Sequence, residues 1–235
     1  MSGPCDIDAV VFDYGGVLTT PVSHSIASWL AREEIDPASF SGALRAWLSR
    51  SAPEGTPIHR LETGEIGVEE FDRLLAAQLV RYDGRPVDPV GVLGRLFADL
   101  RPDEEVYRLV DELRDAGIRV AMLSNSWGST YPRPRIDELF DPLVISSEVG
   151  LRKPHAAIFR LTVERLRLPP ERVLMLDDAE PNVEGARAAG LQALLHTDAA
   201  STRARLARLL PGLSPTSPAR PARPATDLSV RRPQI

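Results

Sequence analysis

Three short apolar runs constrain this chain more than any other feature. They read IDAVVFD at 7–13, IRVAMLS at 118–124 and RVLMLDD at 172–178. Each is rich in Val, Ile or Leu, too short for a buried helix, and apolar at consecutive positions. That is the pattern of a strand covered on both faces. Two weaker runs, PLVIS at 142–146 and LQALLH at 191–196, extend the set. Helical patterns separate them. PDEEVYRLVDELRDAG (102–117) opens with Pro and acids, repeats Val106, Leu109, Val110 and Leu113 at helical spacing, and stops at Gly117. PHAAIFRLTVERLRL (154–168) opens on Pro, and EPNVEGARAAG (180–190) closes on Gly. Strands alternating with helices predict an α/β fold, a parallel sheet with helices on both faces.

Residues 20–99 break the rhythm. SHSIASWLAREE, PASFSGALRAWLSR and VEEFDRLLAAQLVRY read as amphipathic helices with no strong strand among them. A helical insertion between the first two strands accounts for this, with joints near 19–21 and 99–102. A core of 1–19 and 100–210 and a cap of 20–99 follow. Residues 211–235 hold six prolines and almost no apolar periodicity, the composition of a disordered tail.

The 235 residues are 43% hydrophobic with net charge −5, so a real core forms and no nucleic-acid footprint is expected. One cysteine, Cys5, excludes an internal disulfide framework and a cysteine zinc cluster. No run approaches the roughly 18–20 apolar residues of a membrane helix, and no basic segment with a long apolar run opens the chain. The expectation is a cytoplasmic protein, monomer or homodimer, with no membrane partner.

Ligands of open parallel sheets bind beyond the carboxyl ends of the strands. The polar residues fall there: Asp13 after the first strand, Ser124 and Asn125 after the second, Asp177 and Asp178 after VLML, and Lys153 after PLVIS. Each alone is ordinary turn or cap chemistry. Adjacent acids at the end of one apolar strand repel, and they suggest a cation nearby. A carboxylate held dry is a nucleophile. Phosphate monoesters suit it, because positioning and charge neutralisation supply most of that catalysis. Mg²⁺ takes one or two carboxylates plus substrate oxygens, and Asp13 and Asp178 can furnish these.

In this order the residues resemble the four motifs of the haloacid-dehalogenase-like hydrolases. VVFDYGGVL is similar to the first, VAMLSNS to the second, GLRKPHAAIF to the third and VLMLDDAEPNVEGARAAG, with Asn182, to the fourth. LETGEIGVEEF (61–71) resembles a cap segment of one subgroup, which holds glucose-1-phosphatase-like proteins and the N-terminal phosphatase domain of soluble epoxide hydrolases. The resemblance implies a Rossmann-like three-layer core with an inserted helical cap. It implies that Asp13 attacks phosphorus. Mg²⁺ would sit on Asp13, Asp178 and the Gly15 carbonyl, with Asp177 behind them or bound to the ion through water. Ser124, Asn125 and Lys153 would hold the phosphoryl group of a small phosphorylated substrate, with a sugar phosphate as one candidate.

The pattern departs at Gly15, where many such phosphatases carry the aspartate that protonates the leaving alcohol. His24, Glu33 or a water could stand in, or the leaving group could need less help. A binding or regulatory protein with weak turnover is the alternative. Metal-free 2-haloacid dehalogenation is a weaker one, because such a site gains nothing from stacked carboxylates. His59 and Arg60 are candidates for reading the substrate from the cap.

Overall fold

The computed structural model describes residues 7–48, 53–128 and 131–215. Cys5 and most of the expected tail lie outside the described residues. Five strands form one parallel sheet: β1 (Ala9–Phe12), β2 (Arg119–Ser124), β3 (Leu143–Ile145), β4 (Val173–Asp177) and β5 (Gln192–Leu195), in the spatial order β3-β2-β1-β4-β5. β1 is central, which explains its unbroken apolar run. Val10 and Phe12 point into one hydrophobic layer, with Val106, Tyr107, Leu109 and Val110. Ala9 and Val11 point into the other, with Ile158, Phe159, Val183 and Ala186.

Eleven α-helices are described, in chain order α1 (Val22–Arg32), α2 (Pro37–Leu48), α3 (Pro57–Glu62), α4 (Val68–Ala76), α5 (Val92–Leu96), α6 (Glu104–Asp115), α7 (Arg133–Leu139), α8 (Ser146–Val149), α9 (Ala156–Leu166), α10 (Glu180–Ala188) and α11 (Ala199–Leu209). α6 is the amphipathic helix that the spacing predicts. The Asp103 carboxylate caps it by accepting from Glu105 N and Val106 N at 3.0 and 3.2 Å, a device worth about 1 kcal/mol. α3, α5, α7, α8 and α11 are not expected from the sequence; α3 forms inside 50–67, a stretch whose composition reads as a loop-rich break, because Ile58 and Leu61 are buried in the insertion's apolar cluster. α11 hides in an arginine-rich stretch that buries only Thr202 and Leu206 along its length.

α1–α5 lie between β1 and β2 and carry a hydrophobic cluster of their own, built on Trp29, Phe40, Ile58, Phe71, Leu75 and Leu96. Trp47 packs edge-on against Phe71 in the same cluster. The chain enters and leaves this insertion side by side. Thr19 and Pro102 form an antiparallel bridge, and Thr20 N donates to Arg101 O at 2.8 Å. The fold is thus an α/β Rossmann-like core with an inserted helical cap. No helix among the described residues is long and apolar enough to cross a membrane.

Candidate active site

Register assembles the acidic edge. Phe12 pairs with Leu176, and Asp13 N still donates to Leu176 O at 2.9 Å, so the first aspartate ends its strand beside the Asp177–Asp178 pair. Carboxylate oxygens of Asp13, Asp177 and Asp178 lie within 4.8 Å of one another. On the other side Phe12 pairs with Met122, which brings the end of β2, Ser124, to the same edge.

After Asp13 the chain makes a single tight turn over Tyr14–Leu18. Gly16 there has φ +79°, and a Cβ on it would run into the Asp178 carboxylate. Glycine therefore serves two ends at once: a left-handed backbone and close approach of two motif loops. Gly15 is different. Its φ of −71° and ψ of 121° suit any residue, and an added Cβ would meet a Val22 methyl at 3.3 Å.

Lys153 sits at the centre, 1% exposed. Its Nζ lies 2.8 Å from Asp13 Oδ1 and 2.6 Å from Asp177 Oδ2. The Asn125 side chain fixes its backbone in both directions: Lys153 N donates to Asn125 Oδ1 at 2.9 Å, and Asn125 Nδ2 donates to Lys153 O at 3.1 Å. From below, α10 presses Gly185 so near that a Cβ there would lie 2.6 Å from Pro154 O. That contact is a reason for the glycine in the EGARAAG helix. The Asn125 side chain is thus a brace for Lys153, which leaves its backbone N–H as the group able to meet a phosphoryl oxygen.

Asp177 is fully committed. Oδ1 accepts from Ala179 N and Asn182 Nδ2, both at 2.9 Å, and Oδ2 takes the lysine. Its place is to orient Lys153 and the start of α10. Burial pushes the Asp13 carboxyl up to about 7; Lys153 pulls it down, and Asp177 and Asp178 push it further up. Burial works against the Lys153 charge, but Asp13 and Asp177 outweigh it and hold its pKa above the ordinary value. Three carboxylates around one ammonium leave the edge short of positive charge. A hard divalent cation on oxygen ligands fits that deficit, and Asp13 and Asp178 offer carboxylate oxygens to it.

The site opens into a cavity of about 250 Å³ lined from both sides. The core contributes Asp13, Ser124, Asn125, Lys153, Asp178 and Asn182; Val22, Glu62, Phe97 and Leu100 come from the insertion and its exit. Three further lining groups went unremarked in the sequence. Tyr131 donates its phenol to Ser124 Oγ at 2.9 Å, and burial pushes that phenol up to about 12, so it stays a donor. Trp127 and Glu62 meet across the seam: Trp127 Nε1 donates to Glu62 Oε1 at 3.0 Å, while Arg152 Nε reaches Glu62 Oε2 at 2.5 Å. Position was the available signal, because Trp127 follows Ser124 by three residues and Arg152 precedes Lys153.

The proposed stand-ins for the missing acid do not reach this cavity. His24 is exposed and Glu33 is spent on Arg95 at 2.6 Å; neither lines it. His59 and Arg60 also lie outside the lining. His59 is pulled down by burial and by the charges of Arg152 and His155, and Arg60 faces Glu70 at 3.6 Å.

The chain is 27% identical over 82% of its length to mouse acyl-CoA dehydrogenase family member 10, of which it spans 18%. It spans 38% of rat bifunctional epoxide hydrolase 2, so it covers well under half of the first curated relatives it matches. It is 29% identical to the sesquiterpene phosphatase astK of Aspergillus oryzae over 86% of this chain and 96% of that one. Among solved structures, a haloacid dehalogenase family enzyme of Bacteroides thetaiotaomicron, in complex with magnesium and inorganic phosphate, shares the fold with a TM-score of 0.60. It is 19% identical and covers 81% of this chain and 94% of that one. The family model for haloacid dehalogenase-like hydrolases matches residues 7–190, and the chain belongs to that family.

Proposed function

We propose that the protein is a Mg²⁺-dependent phosphatase that hydrolyses a small phosphorylated metabolite through an aspartyl-phosphate. The observation that carries this is the convergence of Asp13, Asp178, Ser124 and Lys153 on one cavity. Phosphatases among the relatives and the magnesium–phosphate complex of a fold neighbour support it.

Asp13 Oδ attacks phosphorus in line, and the bond from phosphorus to the ester oxygen breaks. The departing alkoxide takes a proton from water, since no carboxylic acid stands at position 15. Water then attacks the aspartyl-phosphate, and phosphate leaves as the carboxylate is restored. Lys153 and the Ser124 hydroxyl neutralise and orient the phosphoryl oxygens, with Tyr131 fixing the hydroxyl. Bound Mg²⁺ on Asp13, Asp178 and the Gly15 carbonyl would supply charge neutralisation at the phosphoryl group.

The test is phosphate release from a panel of esters, with Mg²⁺ and with EDTA, beside Asp13→Asn. Release that needs Mg²⁺ and Asp13 supports the reading. Ligand binding with no turnover anywhere would favour the binding-protein alternative, which Gly15 motivates. Halide release from 2-chloropropionate without metal would favour the dehalogenase.

A further inference from the structure

Resting on the phosphatase reading, we propose that the leaving-group side of the cavity takes a compact apolar alcohol, aliphatic or aromatic, rather than a polyol. Val22, Phe97, Leu100 and the Trp127 indole form the wall beyond the acidic edge. Phe97 stacks edge-on against Trp127 at 6.2 Å, so two of these groups form one continuous apolar surface. A sugar needs partners for several hydroxyls, and this wall offers few. Glu62 is the carboxylate that the insertion contributes to the lining, and both its oxygens already hold donors, Trp127 and Arg152. Each hydroxyl buried without a partner costs affinity by roughly five- to a hundredfold, whereas each methylene laid on such a wall gains about threefold to fourfold. The remaining polar lining groups, the Tyr14 and Tyr131 phenols included, come from the core side of the cavity, where Asp13, Ser124, Lys153 and Asp178 form the phosphoryl end.

The experiment compares kcat/KM for 2-phenylethyl phosphate, glycerol 3-phosphate and ribose 5-phosphate, with acetyl phosphate as a fourth substrate. The first three are primary-alcohol esters, so leaving-group chemistry is nearly matched and the wall decides. The expected result is a preference of about 30-fold or more for the phenylethyl ester. In Leu100→Asn that ratio should fall about fivefold or more; because both rates come from one preparation, partial misfolding cancels. Ribose 5-phosphate or glycerol 3-phosphate turned over as well as the phenylethyl ester would overturn the inference and leave the phosphatase standing. A ratio unmoved in Leu100→Asn would also count against it. If all four substrates, acetyl phosphate included, stay intact with Mg²⁺, the phosphatase reading falls and this inference with it.

Discussion

The core edge and the cap meet at one cavity but are built on opposite principles. At the core edge charge is packed on charge: Lys153 and Asp177 are almost fully buried, and Asp13 is 8% exposed. In the cap the interior is aromatic and aliphatic, and the pairs Arg32–Asp99 and Arg81–Glu34 stay partly or largely in solvent. Asp72 is buried there, but it accepts from Leu93 N inside the cap. Glu62 is the cap carboxylate that crosses the seam. The difference teaches a division of labour. Removing a core-edge group should harm every substrate alike, and removing a cap group should change which substrate is preferred.

The largest expected effect is at Asp13. Asp13→Asn keeps the shape and removes the nucleophile, so turnover of every ester should fall by about 10³-fold or more, measured as phosphate release. A substrate spared by the change would break the division just drawn. Lys153→Ala comes next. It leaves two buried carboxylates without their shared ammonium, and breaking such a pair costs about 3–5 kcal/mol. The melting temperature should drop, and kcat should fall about 10²-fold across the panel with the substrate ranking kept. A reordered ranking would mean that Lys153 also selects.

The two regions were unequally legible in the sequence. β1, β2 and β4 announced themselves because a central parallel strand must be apolar on both faces, and their polar terminators fell at one edge because register carried them there. Asp13, Ser124, Lys153, Asp177 and Asp178 needed only that argument. The cap wall did not follow from it. Phe97, Leu100 and Trp127 are apolar residues near helix ends or in loops, and nothing in local spacing separates a cavity wall from a core. His59 and Arg60 looked suited to reading a substrate because they are polar and fall where the composition of 50–67 reads as a loop. α3 instead directs Glu62 into the cavity lining and leaves His59 outside it, where the charge of Arg152 disfavours a protonated ring. Which face of a six-residue helix meets the core depends on tertiary packing, and short periodicity cannot reveal it.

Glu62→Gln tests a group that belongs to both regions. The amide keeps an oxygen for Trp127 but leaves Arg152 without its countercharge, at a site where Glu62 is 3% exposed. Arg152 adjoins Lys153, and Trp127 continues the loop after Ser124, so the pair ties cap seating to both phosphate-gripping loops. Kinetics should show a fall of about tenfold, mainly in kcat. A passive brace would instead lower the melting temperature and leave kcat alone.

The smallest expected effect belongs to Gly15→Asp, and it asks whether the core edge has given up a function that the cap does not replace. The backbone at position 15 accepts any side chain, and the nearest obstacle is one Val22 methyl at 3.3 Å from the added Cβ. An aspartate there could protonate a departing alkoxide. General acid catalysis reaches about 10²–10⁴-fold where geometry is ideal, but a side chain grafted without supporting contacts should deliver about threefold to tenfold. The gain should appear for alkyl esters and be absent for aryl esters, whose leaving oxygen needs no proton. Rates on both classes, from the same preparation, measure this directly. A uniform loss would instead show that the bare Gly15–Val22 contact shapes the cavity, and that the cap, through α1, had already taken the space an acid would need.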